Sequence, residues 1–227
     1  KKTLKHTKQS LSETCEFIIE ANKRIITKEN WIPNAKDWLR TENEFRSKVA
    51  ELNMITRETI TKHAKRRIDV ATCKDILDII NYGENKWLKK TITRDEDSKE
   101  NFMATKIWSP SDVGIHNTIK AKEGHYFIDF EYAGIDDKLK LLSDLVLQPN
   151  NTLGKREEIY VIDKISMLLK RGEYEWDKRY EKIKPIVAMK WIYIMTNKLR
   201  RLKEENKEEQ LKKIKNYIVE VKLDNMK

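Results

Sequence analysis

Apolar residues recur at helical spacing through most of the chain. Leu11, Cys15, Ile18, Ile19, Asn22 and Ile26 fall on one face of a first helix, with Ser10 or Ser12 as its cap, and Pro33 punctuates the loop that follows. A longer second helix carries Phe45, Val49, Leu52, Thr59, Ile60 and His63 on its inward stripe. Ile76, Leu77, Ile79 and Ile80 form a short apolar helix ending near Gly83, and the aperiodic, charged stretch Arg94 to Glu100 reads as an exposed loop. The texture then changes. Thr105 to Trp108 reads as a strand, and Thr118 to Ala121 with His125 to Phe130 reads as a hairpin turning at Lys122-Glu123-Gly124. The helical period then returns. Asp136 or Asp137 caps a helix with Leu139, Leu142, Leu145 and Val146 inward, which stops before Pro149. Three further helices follow: Arg156 to Leu169 with Ile159, Ile162, Ile165 and Leu169 inward; Pro185 to Leu202, with the proline at its start; and Glu208 to Leu223. The pattern predicts a mainly α fold with a small β-hairpin insertion. No internal repeat and no Gly-, Pro- or Ser-rich linker divides it, so residues 1–227 read as a single domain.

Composition narrows the functional class. Hydrophobic residues make up 39% and charged residues 37%, and the strong periodicity argues against disorder in so polar a chain. The net charge of +10 suits a nucleic-acid partner, but the 47 Lys and Arg are interleaved with 37 Asp and Glu, as in Lys203 to Glu209, which is the texture of a solvated helix face. Nucleic acid is therefore not the expected partner. The densest cationic cluster, Lys62-His63-Ala64-Lys65-Arg66-Arg67, is a candidate anion site that reads more simply as a basic helix end. Cys15 and Cys73 stand far apart with no second Cys or His at ligand spacing, so neither a disulfide framework nor a zinc site is expected. No apolar run reaches membrane-spanning length and no signal segment opens the chain, which points to a cytoplasmic setting without a membrane partner.

The candidate chemistry lies between residues 105 and 134. Asp112 and Asn117 have the spacing Asp-x-x-x-x-Asn, and Asp129 ends the apolar run Tyr126-Phe127-Ile128. Phosphoryl transfer needs such a set. One carboxylate orients the attacking hydroxyl, while an amide oxygen and a second carboxylate hold magnesium on the nucleotide phosphates. His116, His125 and Glu131 lie close by but read as loop-packing or strand-end residues. Trp176 and Trp191, near the acidic Glu173-Tyr174-Glu175, read as core before they read as an amine-binding box.

Ser109-Pro110-Ser111-Asp112-Val113-Gly114-Ile115-His116-Asn117 and Phe127-Ile128-Asp129-Phe130-Glu131-Tyr132-Ala133-Gly134 resemble the aminoglycoside and choline kinase-like phosphotransferases, relatives of protein kinases. The resemblance extends more loosely over most of the chain and includes Leu141-Leu142-Ser143-Asp144. It implies the C-terminal lobe of a protein kinase-like fold, with Asp112 as catalytic base, Asn117 and Asp129 as magnesium ligands, and Asp144 as a structural residue bonded to the catalytic-loop backbone. ATP is then the phosphoryl donor and a small hydroxyl compound such as an amino alcohol, aminoglycoside or sugar the acceptor. The family commonly carries a histidine two residues before the aspartate, where this chain has Pro110. No glycine-rich loop or lysine–glutamate pair precedes residue 100, so the nucleotide-covering N-terminal lobe is expected to lie outside these residues. Two other classes stay open: a kinase-like binding or regulatory module without catalysis, and a basic helical nucleic-acid binder.

Overall fold

A computed structural model describes residues 7–25, 32–35, 41–66, 69–89, 106–150, 152–169 and 176–221. They form a mainly helical fold with two small antiparallel strand pairs. The helices are α1 (Lys8–Ile25), α2 (Glu42–Lys65), α3 (Val70–Gly83), α4 (Lys138–Leu147), α5 (Lys155–Lys164), α6 (Ser166–Leu169), α7 (Trp176–Leu199) and α8 (Glu204–Glu220). The strands are β1 (Lys106–Ser109), β2 (Thr118–Ala121), β3 (Gly124–Phe127) and β4 (Gly134–Asp137). The chain divides into two compact units, one of residues 1–42 and 93–183 and the other of 43–92 and 184–227. No linker marks the last boundary between the units, because it falls inside α7.

In the first unit α1 packs on β1, β3 and α5. Its N-terminus is closed by Thr7 and Ser10, each hydroxyl accepting from the other's backbone N–H (3.1 and 2.8 Å). This reciprocal box makes Thr7 the cap, in place of the Ser10 or Ser12 expected, because only Thr7 stands three residues before its partner at the helix start. Leu11, Cys15 and Ile18 are buried as the period requires. Asn22, fully buried on the same stripe, has another task. Its Oδ1 accepts from Trp108 N–H (2.9 Å) and its Nδ2 donates to Trp108 C=O (3.0 Å), so one side-chain amide pairs the outer edge of β1.

Strand β4 had no counterpart in the periodicity. It pairs with β1 in the register Lys106↔Asp137 to Ser109↔Gly134. Its outer edge is covered by residues 33–35, through Ile135 N–H to Pro33 C=O (2.9 Å) and Ala35 N–H to Ile135 C=O (3.0 Å). That segment runs so close that a Cβ on Gly134 would stand 2.4 Å from both Ala35 N and Pro33 O. With both edges paired, the two-stranded sheet leaves no open ladder at this point.

The β4–α4 junction is a buried charge network. Asp137 caps α4, accepting from Leu139 N–H (2.8 Å) and Lys140 N–H (3.2 Å) through Oδ1, and takes Arg179 Nη2 (2.6 Å) through Oδ2. Asp136 is therefore not the cap; its Oδ2 accepts from Lys140 Nζ at 2.7 Å. Every residue of α4 is buried, polar ones included. Burial by itself pulls the Lys140 ammonium down, but Asp136 and Asp144 on either side outweigh it and the net shift is upward.

Other boundaries moved for physical reasons. The hairpin turns on Lys122-Glu123 alone, since Gly124 already pairs with Ala121. The apolar helix does not end at Gly83; it continues as a π-helical turn, Glu84–Leu88, and Gly83 is small because a Cβ there would meet Met189 Sδ at 2.7 Å. Pro185 lies inside α7, which starts at Trp176. An interior proline costs about 3 kcal/mol, and the buried stripe Trp176, Tyr180 and Ile183 upstream of it offsets that. Helices α5 and α6 break at Ile165, and Ile159, expected inward, is exposed. The predicted loop Arg94 to Glu100 lies outside the described residues, as do Thr105, Glu173 to Glu175 and Leu223.

The second unit holds α2, α3 and α8 with residues 184–199 of α7. Phe45, Val49 and Ile60 of α2, Cys73, Ile76 and Ile80 of α3, and Leu211, Ile214 and Ile218 of α8 are buried, and α3 packs on α8. Trp176 in one unit and Trp191 in the other are each buried, as expected of core residues. Among the described residues no helix is long and apolar enough to cross a membrane.

Candidate phosphoryl-transfer site

Strand β1 delivers the chain into the loop 110–117. Ser111 takes a left-handed conformation (φ 63°), its N–H bonded to Ser109 Oγ (3.0 Å), and Asp112 N–H closes onto Pro110 C=O (2.8 Å). A 3₁₀ turn, Ile115–Asn117, leads into β2. Asn117 donates Nδ2–H to the Asp112 carbonyl (2.8 Å), so the two ends of the Asp-x-x-x-x-Asn spacing are bonded to each other. With the amide nitrogen so engaged, Oδ1 is the atom that Asn117 has to offer a cation.

Asp129 reaches the same place from the other side of the hairpin. The ladder ends at Thr118↔Phe127 and is extended by one bond from Ile128 N–H to Asn117 C=O (3.0 Å), which sets Asp129 one residue past Asn117's partner. A second tie runs from Ser111 Oγ to Tyr132 C=O (2.8 Å). The two loops that bear Asp112, Asn117 and Asp129 are thus joined at both ends. Asp129 itself departs from expectation: β3 stops at Phe127 rather than running on to Phe130, and Asp129 is exposed, in a left-handed conformation (φ 68°). Its neighbours hold it in place. Phe17 of α1 stacks on Phe127 (4.3 Å between centroids) and on Phe130 (5.7 Å), and Trp108 meets Phe130 at 6.0 Å.

His116 and Gln148 hold the Asp112 carboxylate. His116 Nε2 lies 3.1 Å and Gln148 Nε2 2.9 Å from Asp112 Oδ1. Gln148 Oε1 accepts from Asn150 N–H (2.5 Å), which fixes the amide so that its nitrogen faces the aspartate. The two nitrogens stand 3.0 Å apart, the spacing of two donors fanned onto one oxygen. This arrangement places the His116 proton on Nε2. Nδ1 is then a bare acceptor, buried and without a partner among the described residues, and a buried lone pair is more readily tolerated than an orphaned N–H. Gly114 makes room for that edge of the ring, since a Cβ there would stand 2.8 Å from Nδ1.

Gln148 was invisible in the sequence. It is the residue after α4 and before Pro149, a position that signals only a helix end. Its burial, at 4% exposure, is the mark that distinguishes it, and that appears only in three dimensions. His125 contacts Glu13 and tethers the hairpin to α1, and Glu131 is exposed in the turn. Asp144 lies in the buried network, accepting from Lys140 Nζ at 2.8 Å.

The oxygen donors suit a hard cation. Magnesium takes one or two protein oxygens and fills its shell with water and substrate phosphates. Among the described residues no three His, Cys, Asp or Glu are grouped to enclose a metal. No protein-family model matches the chain, and no curated protein does.

Proposed function

We propose that this chain is the catalytic half of an ATP-dependent small-molecule kinase, of the aminoglycoside and choline kinase-like class and of cytoplasmic location. One observation supports this above the others: the loop bearing Asp112 and Asn117 and the loop bearing Asp129 are stitched together at Asn117–Ile128 and at Ser111–Tyr132. The Asp112 carboxylate, the Asn117 amide and the exposed Asp129 carboxylate therefore lie on adjoining turns. Asp112, its carboxylate oriented by His116 and Gln148, accepts the proton of the acceptor hydroxyl. Asn117 Oδ1 and Asp129 hold magnesium, which when bound neutralises charge on the nucleotide phosphates. His116 and Gln148 give Asp112 support of the kind that the family draws from the histidine replaced here by Pro110. A strand-rich segment outside these residues, with a glycine-rich loop and a lysine, covers the phosphates.

The test is magnesium-dependent ATP binding by calorimetry, followed by ATP consumption across amino alcohols, aminoglycosides and sugars. Asp112→Asn is expected to lower turnover by about a thousandfold or more with nucleotide affinity kept, and Asp129→Ala to weaken magnesium–nucleotide binding itself. Turnover by Asp112→Asn at the wild-type rate would end the assignment. Binding without consumption across the whole panel would move the chain to the class of non-catalytic kinase-like modules.

A further inference from the structure

The second unit carries a cavity of about 620 Å³ that phosphoryl transfer does not use. Lys62 and His63 from the last turn of α2, Arg66 just beyond it, Arg200 after α7 and Lys207 in the first turn of α8 line it. Glu58 sets a carboxylate among them, and Ile55 and Leu199 supply an apolar side. The volume is that of a small-molecule site.

A basic helix end would account for part of this cluster. Cations favour the C-terminus of a helix, and α2 carries Lys62, His63 and Lys65 in its last turn. The helix dipole does not explain why Arg200 and Lys207, from the other end of the chain, face the same cavity. Nor does it explain His63. That ring is 95% buried, with 5% exposure, and its Nδ1 is 2.7 Å from Thr59 C=O, so Nδ1 carries the proton. Nε2 is buried and has no hydrogen-bond partner among the described residues. Buried polar atoms are nearly always satisfied, and this one belongs to a residue of the cavity wall.

The charge balance sets the sign of that ligand. Lys207 is 8% exposed, and its Nζ bonds Glu204 Oε1 at 2.5 Å, an oxygen that Arg66 also approaches at 3.3 Å. Glu204 is held below its ordinary carboxylate range, by the Lys207 hydrogen bond first, over the opposing effect of burial, with the charges of Lys207, Arg66 and His63 adding. Even with Glu58 and Glu204 counted against them, Lys62, Arg66, Arg200 and Lys207 leave an excess of positive charge. Apart from the His63 imidazole, the described residues of the lining include no aromatic ring on which a base could stack, which disfavours single-stranded nucleic acid.

We propose that this cavity binds the phosphate groups of a small phosphorylated ligand, with Arg66, Arg200 and Lys62 engaging phosphate oxygens beside the buried His63 ring. Guanidinium forks and ammonium groups are the donors that phosphate takes.

The experiment uses the full chain in magnesium-free buffer with chelator, so that a magnesium–nucleotide site is silent. Inorganic pyrophosphate, inorganic phosphate and ADP are titrated by calorimetry, and a short single-stranded RNA by fluorescence anisotropy. Pyrophosphate is expected to bind, and Lys62→Glu with Arg200→Glu to weaken it by on the order of tenfold or more. Lys212→Glu with Lys213→Glu, the same charge change on the exposed face of α8, is expected to stay within about twofold. The ¹⁵N resonance of His63 Nε2 in the unmutated protein is expected to shift on saturation, a readout that needs no variant to fold. Tighter binding of ADP than of pyrophosphate would identify a nucleotide, and the reverse order a simpler phosphate compound; both support the site. No binding at millimolar pyrophosphate, equal losses in the two double variants, or an unmoved His63 resonance would overturn it. So would pocket-dependent binding of RNA in the absence of pyrophosphate binding.

Discussion

Replacing Asn22 by leucine tests whether one buried amide holds the strand that leads to Asp112. Asn22 is fully buried and makes three bonds, to Ile18 C=O (2.9 Å), Trp108 C=O (3.0 Å) and Trp108 N–H (2.9 Å). The Ile18 carbonyl keeps its place in the helix ladder, so its loss matters least. The two Trp108 groups have no alternative, because they point away from β4, whose own outward groups at Ile135 go to Pro33 and Ala35. Each unpaired backbone group costs about 1–3 kcal/mol. Trp108 is only half-buried, which admits some water and selects the lower part of that range. A net loss of about 2–4 kcal/mol follows for Asn22→Leu. Asn22→Asp is expected to cost more, since it keeps the acceptor for Trp108 N–H but sets a carboxylate against two carbonyl oxygens. Hydrogen exchange followed by mass spectrometry on a peptide covering residues 106–117 measures the local opening free energy in each protein. Asn22→Leu within about 0.5 kcal/mol of wild type, or Asn22→Asp milder than Asn22→Leu, would refute the reasoning.

Three further outcomes are expected. Gly134→Ala forces a Cβ onto the backbone of residues 33–35 and should lower stability by about 3 kcal/mol in urea denaturation; a neutral result would mean that segment is free to move aside. Lys140→Met removes the cation between two buried carboxylates and should cost about 3–5 kcal/mol, with much of the loss recovered when Asp136 and Asp144 are replaced together by Asn and Leu. Burial raises the Cys15 thiol to about 12 and the Cys73 thiol to about 11. Neither should react with a thiol reagent in the native protein at pH 8, and in rising urea each should report the opening of its own unit. Rapid labelling of both in native buffer would contradict their placement.

What the sequence made legible was whatever one face of one element decides. Helices α1, α2 and α3 read off their apolar period because each buries a single stripe, and the β2–β3 hairpin showed itself by two short β-rich runs around a turn. Strand β4 did not. Gly134-Ile135-Asp136-Asp137 carries two carboxylates and a glycine, a poor strand by composition, and it is stable only because Lys140, Arg179 and residues 33–35 arrive from elsewhere. The candidate site divides the same way. Asp112, Asn117 and Asp129 stood out by spacing, whereas Gln148, which orients Asp112, depends on where α4 ends in space.

Polar residues on otherwise apolar stripes were the most informative misfits. Asn22 lies where the period calls for an apolar side chain and is explained by the edge of β1, whereas Lys140 and Asp144, off the apolar stripe of α4, are buried as an ion pair. His63 belongs to the same set, on the inward stripe of α2, and only half of its ring is explained, by Thr59. The residue lines a cavity shared by Lys62, Arg66, Arg200 and Lys207, and those cations set the sign of the ligand proposed for it. The cluster that composition alone assigned to a basic helix end is, on that proposal, a phosphate site.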